Sequence, residues 1–169
     1  DPKDLGRSYE AIIRGNSQSG KGGVAYLMHS EHHLDLPRGM QVDFARKVQA
    51  ITDARGGELT GDELMDAFVE HYLGVMAPYE LIGFSHVSEE SGDRLVARMR
   101  LNGEDVEIIG EGNGPIAAFV HGLEDRLGVE IGVREYHEHA MGKGEDANAA
   151  SYIEADVDDE AFWGVGIHA

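Results

Sequence analysis

Nothing in this chain constrains its fold more than residues 95–128. Leu95-Val96-Ala97-Arg98-Met99-Arg100-Leu101 alternates its side chains with the period of two that suits a strand with one buried face. Asn102-Gly103 follows, the pair favoured in two-residue hairpin turns because both residues tolerate positive φ. Residues 106–109 then return as a paired strand. A glycine-rich turn comes next, Gly110-Glu111-Gly112-Asn113-Gly114-Pro115. Proline fits the first helical position, where its missing N–H is not needed. Ile116, Phe119, Val120 and Leu123 continue at helical spacing, and Gly128 closes the run. With residues 79–87 as a preceding strand and 88–93 as a polar turn, the segment reads as a β-β-β-α unit.

A second round begins at once. Residues 129–136, 150–157 and 162–167 have strand character, with a loop over 137–148 between the first two. No helix follows before Ala169, so the order of elements suggests a repeat that lacks its last member and a chain cut short at its C-terminal end. The start, Asp1-Pro2-Lys3-Asp4, has no apolar stretch and reads as a linker from something upstream rather than a signal peptide.

The first part of the chain has a different texture. Tyr9-Glu10-Ala11-Ile12-Ile13 is a short extended or helical segment, residues 16–23 a polar glycine-rich loop, and residues 24–29 the first turns of a short helix. Pro37 can open the next helix, in which Met40, Phe44, Val48 and Ile51 share a face before Gly56-Gly57 ends it. Thr60-Gly61-Asp62-Glu63 matches a capping box, with Leu64, Phe68 and Tyr72 on one face of the helix that follows. The expected class is therefore α+β: a small, mostly helical subdomain over residues 1–77, then two βββα units over 78–169, the last helix missing. The helical part is lean in apolar residues for a core of its own.

Charge and composition exclude several functions. The 32 acidic residues against 14 basic ones leave a formal charge of −18, which repels nucleic-acid backbones and anionic membranes. No apolar run reaches the roughly 18 residues of a membrane span. Cysteine is absent, so disulfides and thiolate metal sites are ruled out, in keeping with a reducing, cytoplasmic setting.

Gly15-Asn16-Ser17-Gln18-Ser19-Gly20-Lys21-Gly22 matches a phosphate-binding loop through its lysine. The next position requires a Ser or Thr hydroxyl to hold magnesium, and Gly22 has none. His29-Ser30-Glu31-His32-His33 would put His29 and His33 on one face of a helix, and His137 and His139 would share a face on a strand. Neither cluster brings a third ligand in its own element, so solvated or hydrogen-bonded histidines explain them better than a metal site. There is no cysteine and no Gly-x-Ser-x-Gly elbow, hence no nucleophile arrangement. No catalytic residue and no metal ligand is assigned.

The glycine turn remains. Glycines at 110, 112 and 114 relieve steric limits on φ, so that successive N–H groups can converge on an anion at the start of a helix. Ile116, Ala117 and Phe119 beside it suit a ligand that is charged at one end and apolar at the other. A plain strand-to-helix connection that binds nothing has the same sequence.

A wider set of residues carries a family resemblance. Ser17-Gln18-Ser19-Gly20-Lys21-Gly22-Gly23-Val24-Ala25-Tyr26, Leu36-Pro37-Arg38, Gly112-Asn113-Gly114-Pro115 with Ala117-Ala118-Phe119, Tyr136 with Glu138-His139-Ala140-Met141, and Trp163-Gly164-Val165-Gly166-Ile167 occur in the order seen in one family. The set resembles the C-terminal part of the 2-isopropylmalate synthases, in their long actinobacterial form, over nearly the whole chain. The resemblance implies an acyltransferase parent that joins acetyl-CoA to 2-oxoisovalerate in leucine biosynthesis. Its divalent metal and its chemistry belong to a TIM barrel absent from this chain, which itself needs no cofactor.

The same resemblance implies that the region from residue 78 is allosteric, forms a homodimer and binds L-leucine as feedback inhibitor. Carried over by position, leucine would meet Gly112, Asn113, Gly114 and Ala117, with Ile116, Val133, Tyr136, Ala140 and Ile167 around its side chain and Ala147 from the loop. Arg134 and His137 depart from the aliphatic and aromatic residues the family pattern places there, which touches the rim of such a pocket. A free-standing small-ligand or scaffold module is the alternative, and a P-loop nucleotide enzyme is opposed by Gly22.

Overall fold

A computed structural model of the chain describes residues 20–75 and 77–169. The segment around Tyr9 and the opening positions of the glycine-lysine motif lie outside these residues. In chain order the elements are α1 (Gly20–His32), α2 (Arg38–Arg55), α3 (Gly61–Phe68) running on as a π-helical turn (Val69–Leu73), β1 (Tyr79–Glu89), β2 (Gly92–Leu101), β3 (Glu104–Gly112), α4 (Pro115–Leu127), β4 (Ile131–Ala140), β5 (Ala149–Val157) and β6 (Glu160–His168). The α+β class holds, with two three-stranded sheets in the orders β1-β2-β3 and β4-β5-β6.

The chain divides into two compact units. One gathers the helices up to Gly74 with Glu135–Glu154 and Trp163–Ala169. The other consists of Val75–Arg134 and Ala155–Phe162. Each strand of the second sheet contributes residues to both.

In the helical unit, Met40, Phe44 and Val48 form the buried stripe of α2, and Leu64, Ala67, Phe68 and Tyr72 that of α3 and its continuation. The rings of Phe44 and Phe68 meet edge to face at 5.3 Å between centroids, a geometry that favours aromatic pairs. The helices do not close this core alone: Ala150 and Tyr152, both fully buried, belong to the same cluster. That explains how a segment so lean in apolar residues is stably packed. The Thr60 capping box is present, with Glu63 N–H donating to Thr60 Oγ1 (3.2 Å) and Thr60 N–H donating to Glu63 Oε2 (2.8 Å).

Three local readings change. Gly20–Gly23 are the first residues of α1 rather than loop, and α1 runs on to His32. His33 has φ of 56°, outside the helix, so His29 and His33 do not form an i, i+4 pair; His29 Nδ1 instead meets the Asp35 carboxylate. Strand β4 continues to Ala140, so the connection to β5 is shorter than residues 137–148 and is closed by Met141 N–H donating to Asn148 O at 2.6 Å.

In the other unit, β2 buries Leu95, Ala97, Met99 and Leu101 in alternation, matching the period read from sequence. Its pairing with β3 sets Val96 opposite Ile109 and Leu101 opposite Glu104, across a turn with Asn102 at φ 51° and Gly103 at φ 86°. Both positive values identify the primed turn that matches the twist of a hairpin. Helix α4 lies on β2 and β3, with Ala118 fully buried and Phe119, Leu123 and Leu127 packed against the cluster. Gly128, left-handed at φ 68°, caps its C-terminus through an N–H to Glu124 O of 2.8 Å.

Candidate functional site

The glycine turn delivers the chain from β3 into α4, but its glycines serve a purpose different from the expected one. Gly114 has φ of 178° and ψ of 167°, extended backbone open to any residue, and Gly110 and Gly112 are not among the glycines with positive φ. No nest of alternating backbone handedness forms there. The requirement is close approach instead. A Cβ on Gly110 would lie 1.8 Å from Ala118 O and 2.7 Å from Gly122 N. One on Gly112 would lie 2.6 Å from Ala118 N, and one on Gly122 would lie 2.7 Å from Ile108 Cγ2. These three glycines let α4 rest directly on the backbone of β3.

The start of α4 carries no side-chain cap. Pro115 has no N–H, and Ala118 N–H is taken by Gly114 O at 2.9 Å. By helix geometry the N–H groups of Ile116 and Ala117 lack intrahelical acceptors and sit at the positive end of the helix dipole. Asp93 stands close by, its Oδ2 3.9 Å from where a Gly114 Cβ would be. Hydrogen bonds from Ser88 first, and then from His86, hold the Asp93 carboxyl below the usual carboxylate range. His86 Nε2 lies 3.2 Å from Asp93 Oδ1.

Beside this helix start opens a cleft of about 430 Å³, lined by Asn113, Gly114, Pro115, Ile116, Ala117, Val120, His121 and Val133. Its size falls in the range of small-molecule sites. Val133 is placed by a set of bonds that fixes the entry of β4: Ile131 N–H donates to Glu124 Oε1 (2.8 Å), Glu130 N–H to Asp158 Oδ1 (3.0 Å) and Asp158 N–H to Glu130 O (3.0 Å). Arg134 pairs with Asp156 one position further along.

Of the ten residues singled out from sequence, Asn113, Gly114, Ile116, Ala117 and Val133 line this cleft. Gly112 lies at the end of β3, beneath the backbone of Ala117 and Ala118. Tyr136, Ala140, Ala147 and Ile167 belong to the helical unit. There the Tyr136 hydroxyl donates to Glu138 Oε2 at 2.6 Å, Ala147 N–H to Gly144 O at 3.4 Å, and Ile167 packs against the buried cluster. Ala140 O accepts from His139 Nδ1 at 3.0 Å. Two further lining residues, Val120 and His121, were not assigned to the site from sequence, although Val120 was read on the apolar face of this helix. Their signal was available, since they stand one helical turn beyond Ile116 and Ala117 on the same face of α4.

His139 is held by hydrogen bonds: its Nε2 accepts from Asp35 N–H at 3.1 Å and from the Tyr152 hydroxyl at 2.8 Å. Among the described residues, no three His, Asp or Glu side chains are arranged to hold a metal ion, and no helix is long and apolar enough to cross a membrane.

Comparison with known proteins adds an independent line. Residues 58–169 match the family model of the LeuA allosteric (dimerisation) domain, and residues 1–29 match that of the alpha-isopropylmalate synthase post-catalytic domain. The chain is 49% identical over 170 residues to 2-isopropylmalate synthase of Mycobacterium leprae, covering 99% of this chain and 28% of that protein. It is 48% identical over 170 residues to the enzyme of Corynebacterium glutamicum strain R, covering 27% of it, and 51% identical over 173 residues to that of Parafrankia sp., covering 30%. The chain thus spans less than a third of the length of these relatives.

Proposed function

The chain belongs to the LeuA allosteric (dimerisation) domain family, and from this premise we propose that it is the leucine-sensing, dimer-forming region of a cytoplasmic 2-isopropylmalate synthase. The parent would condense acetyl-CoA with 2-oxoisovalerate in a metal-dependent barrel preceding this region. Residues 1–77 would be the accessory segment that follows the barrel, and residues 78–169 the regulatory region. The chain itself would bind and signal without catalysing.

One observation carries the effector reading: an apolar cleft opens at the uncapped start of α4, lined by Gly114, Ile116, Ala117 and Val133. A leucine carboxylate suits the free N–H groups and the helix dipole. The isobutyl group suits the aliphatic lining. Tyr136, Ala140, Ala147 and Ile167 remain part of the proposed effector surroundings on the strength of family position.

Inhibition of a distant barrel then follows by linkage. Leucine can shift the parent enzyme only by binding its inactive state more tightly than its active one. Calorimetric titration of L-leucine, L-valine and ATP into this chain tests the proposal. Saturable leucine binding with a weaker valine response supports it. Silence with leucine, or magnesium-dependent ATP binding, overturns it.

A further inference from the structure

The cleft holds one polar side chain whose orientation is already decided. His121 Nδ1 lies 2.7 Å from the carbonyl oxygen of Glu111. A carbonyl can only accept, so Nδ1 carries the proton and donates. In the neutral ring Nε2 then carries the lone pair, and it can only accept. Among the described residues Nε2 has no hydrogen-bond partner of its own.

The other lining residues make this acceptor informative. Gly114, Pro115, Ile116, Ala117, Val120 and Val133 offer aliphatic surface, and Asn113 is the only other lining residue with a polar side chain. The Asn113 amide can turn either its oxygen or its nitrogen to a ligand. His121 is held by β3 and presents an acceptor. His121 is exposed at this cleft, so an ammonium group that reaches it exchanges a water molecule for a fixed acceptor and keeps its remaining hydrogen bonds to solvent.

We propose that His121 is the specificity-determining residue that recognises the amino group of the effector, through a hydrogen bond from that ammonium to Nε2. This bond would discriminate the amino acid already proposed as effector from the carboxylic acid of the same skeleton that lacks the amine. This rests on the proposed leucine site and adds the group that reads the amine. Position 121 lies one turn beyond Ala117, so carboxylate at the helix start and ammonium at His121 would engage neighbouring turns of one helix.

The test compares L-leucine with 4-methylpentanoate, which has the same carbon skeleton without the amine, by calorimetry on this chain and on His121→Phe and His121→Gln. The wild-type chain should prefer leucine. His121→Phe should reduce that preference about tenfold, the scale of one hydrogen bond to a charged group, with 4-methylpentanoate affinity nearly unchanged. His121→Gln, which keeps an acceptor, should restore part of it. An unchanged ratio in His121→Phe, with leucine still bound, overturns this inference and leaves the leucine site standing. Equal weakening of both ligands overturns it in favour of a purely structural role. No leucine binding to the wild-type chain overturns the site and the inference together.

Discussion

The carbonyl oxygen of Ala118 lies 1.8 Å from the point where a Cβ on Gly110 would sit. Backbone cannot be displaced as a flexible side chain can, so Gly110→Ala must push α4 off β3. Overpacking of this kind costs about 3 kcal/mol. Gly114→Ala, at an extended φ with its nearest neighbour 3.9 Å away, should melt within a degree or two of the wild type. Thermal unfolding of the two variants checks the contrast. Equal melting temperatures would show that close approach is not what these glycines provide.

Gly114→Asp has room to fold, and it adds a carboxylate beside Asp93 at the start of α4. If leucine binds there through its own carboxylate, two negative charges now oppose it. Affinity for leucine should drop about tenfold or more while the fold is kept. Calorimetry with circular dichroism reads both, and undiminished affinity would move the leucine site elsewhere.

Tyr72 and Tyr152, both buried, should resist alkaline titration. Burial, followed by the hydrogen bond to Asp43, pushes Tyr72 far above the ordinary phenol value. Burial, followed by the charge of Asp35, raises Tyr152. A raised folded-state pKa gives stability that is complete below the unfolded value of about 10 and is lost as pH climbs past it. Tyrosinate absorbance should show these two ionising only with unfolding. Tyr72→Phe and Tyr152→Phe should each remove one late-titrating group.

At the acid end, Glu63 is held down to about 2, first by the hydrogen bond from Arg55 and then by that from Thr60 N–H. Arg55 Nη1 lies 2.9 Å from Glu63 Oε1. A depressed carboxyl stabilises the fold above the ordinary value of 4.5 and loses that contribution as pH falls from there towards 2. In NMR titration, Arg55→Gln should raise the Glu63 midpoint towards 4.5. Thr60→Ala should cost about 1 kcal/mol at neutral pH, the usual loss for an N-cap.

Sequence was most informative where short-range chemistry decides structure. Asn102-Gly103, the Thr60 box and the span from Pro115 to Gly128 depend on turn geometry and capping, which neighbouring residues settle by themselves. It was least informative where distant packing decides. Gly20, Gly22 and Gly23 are poor helix formers that nonetheless stand in the first turn of α1. Strand β4 is exposed along nearly its whole length, so no alternation marked its extension to Ala140.

The same limit applies to the site. Residue type alone cannot tell a glycine chosen for positive φ from one chosen for close approach, and Gly110 and Gly112 are of the second kind. Of the residues proposed by family likeness, Asn113, Gly114, Ile116, Ala117 and Val133 line the cleft. His121 and Val120 required the simpler step of continuing the helical face by one turn.

The burial of Tyr152 and Ala150 among the helices has a consequence for the order in which the protein is made. Residues 95–118 supply the buried cluster under α4 from a short contiguous run, which can close soon after it leaves the ribosome. The helical unit waits: the bond from Asp35 to His139 joins residues 104 positions apart. Phe44 and Phe68 are synthesised well before Tyr152, which belongs to the same buried cluster. Among the described residues these helices precede the strands that complete their core, and in that interval their apolar faces depend on folding partners or on speed.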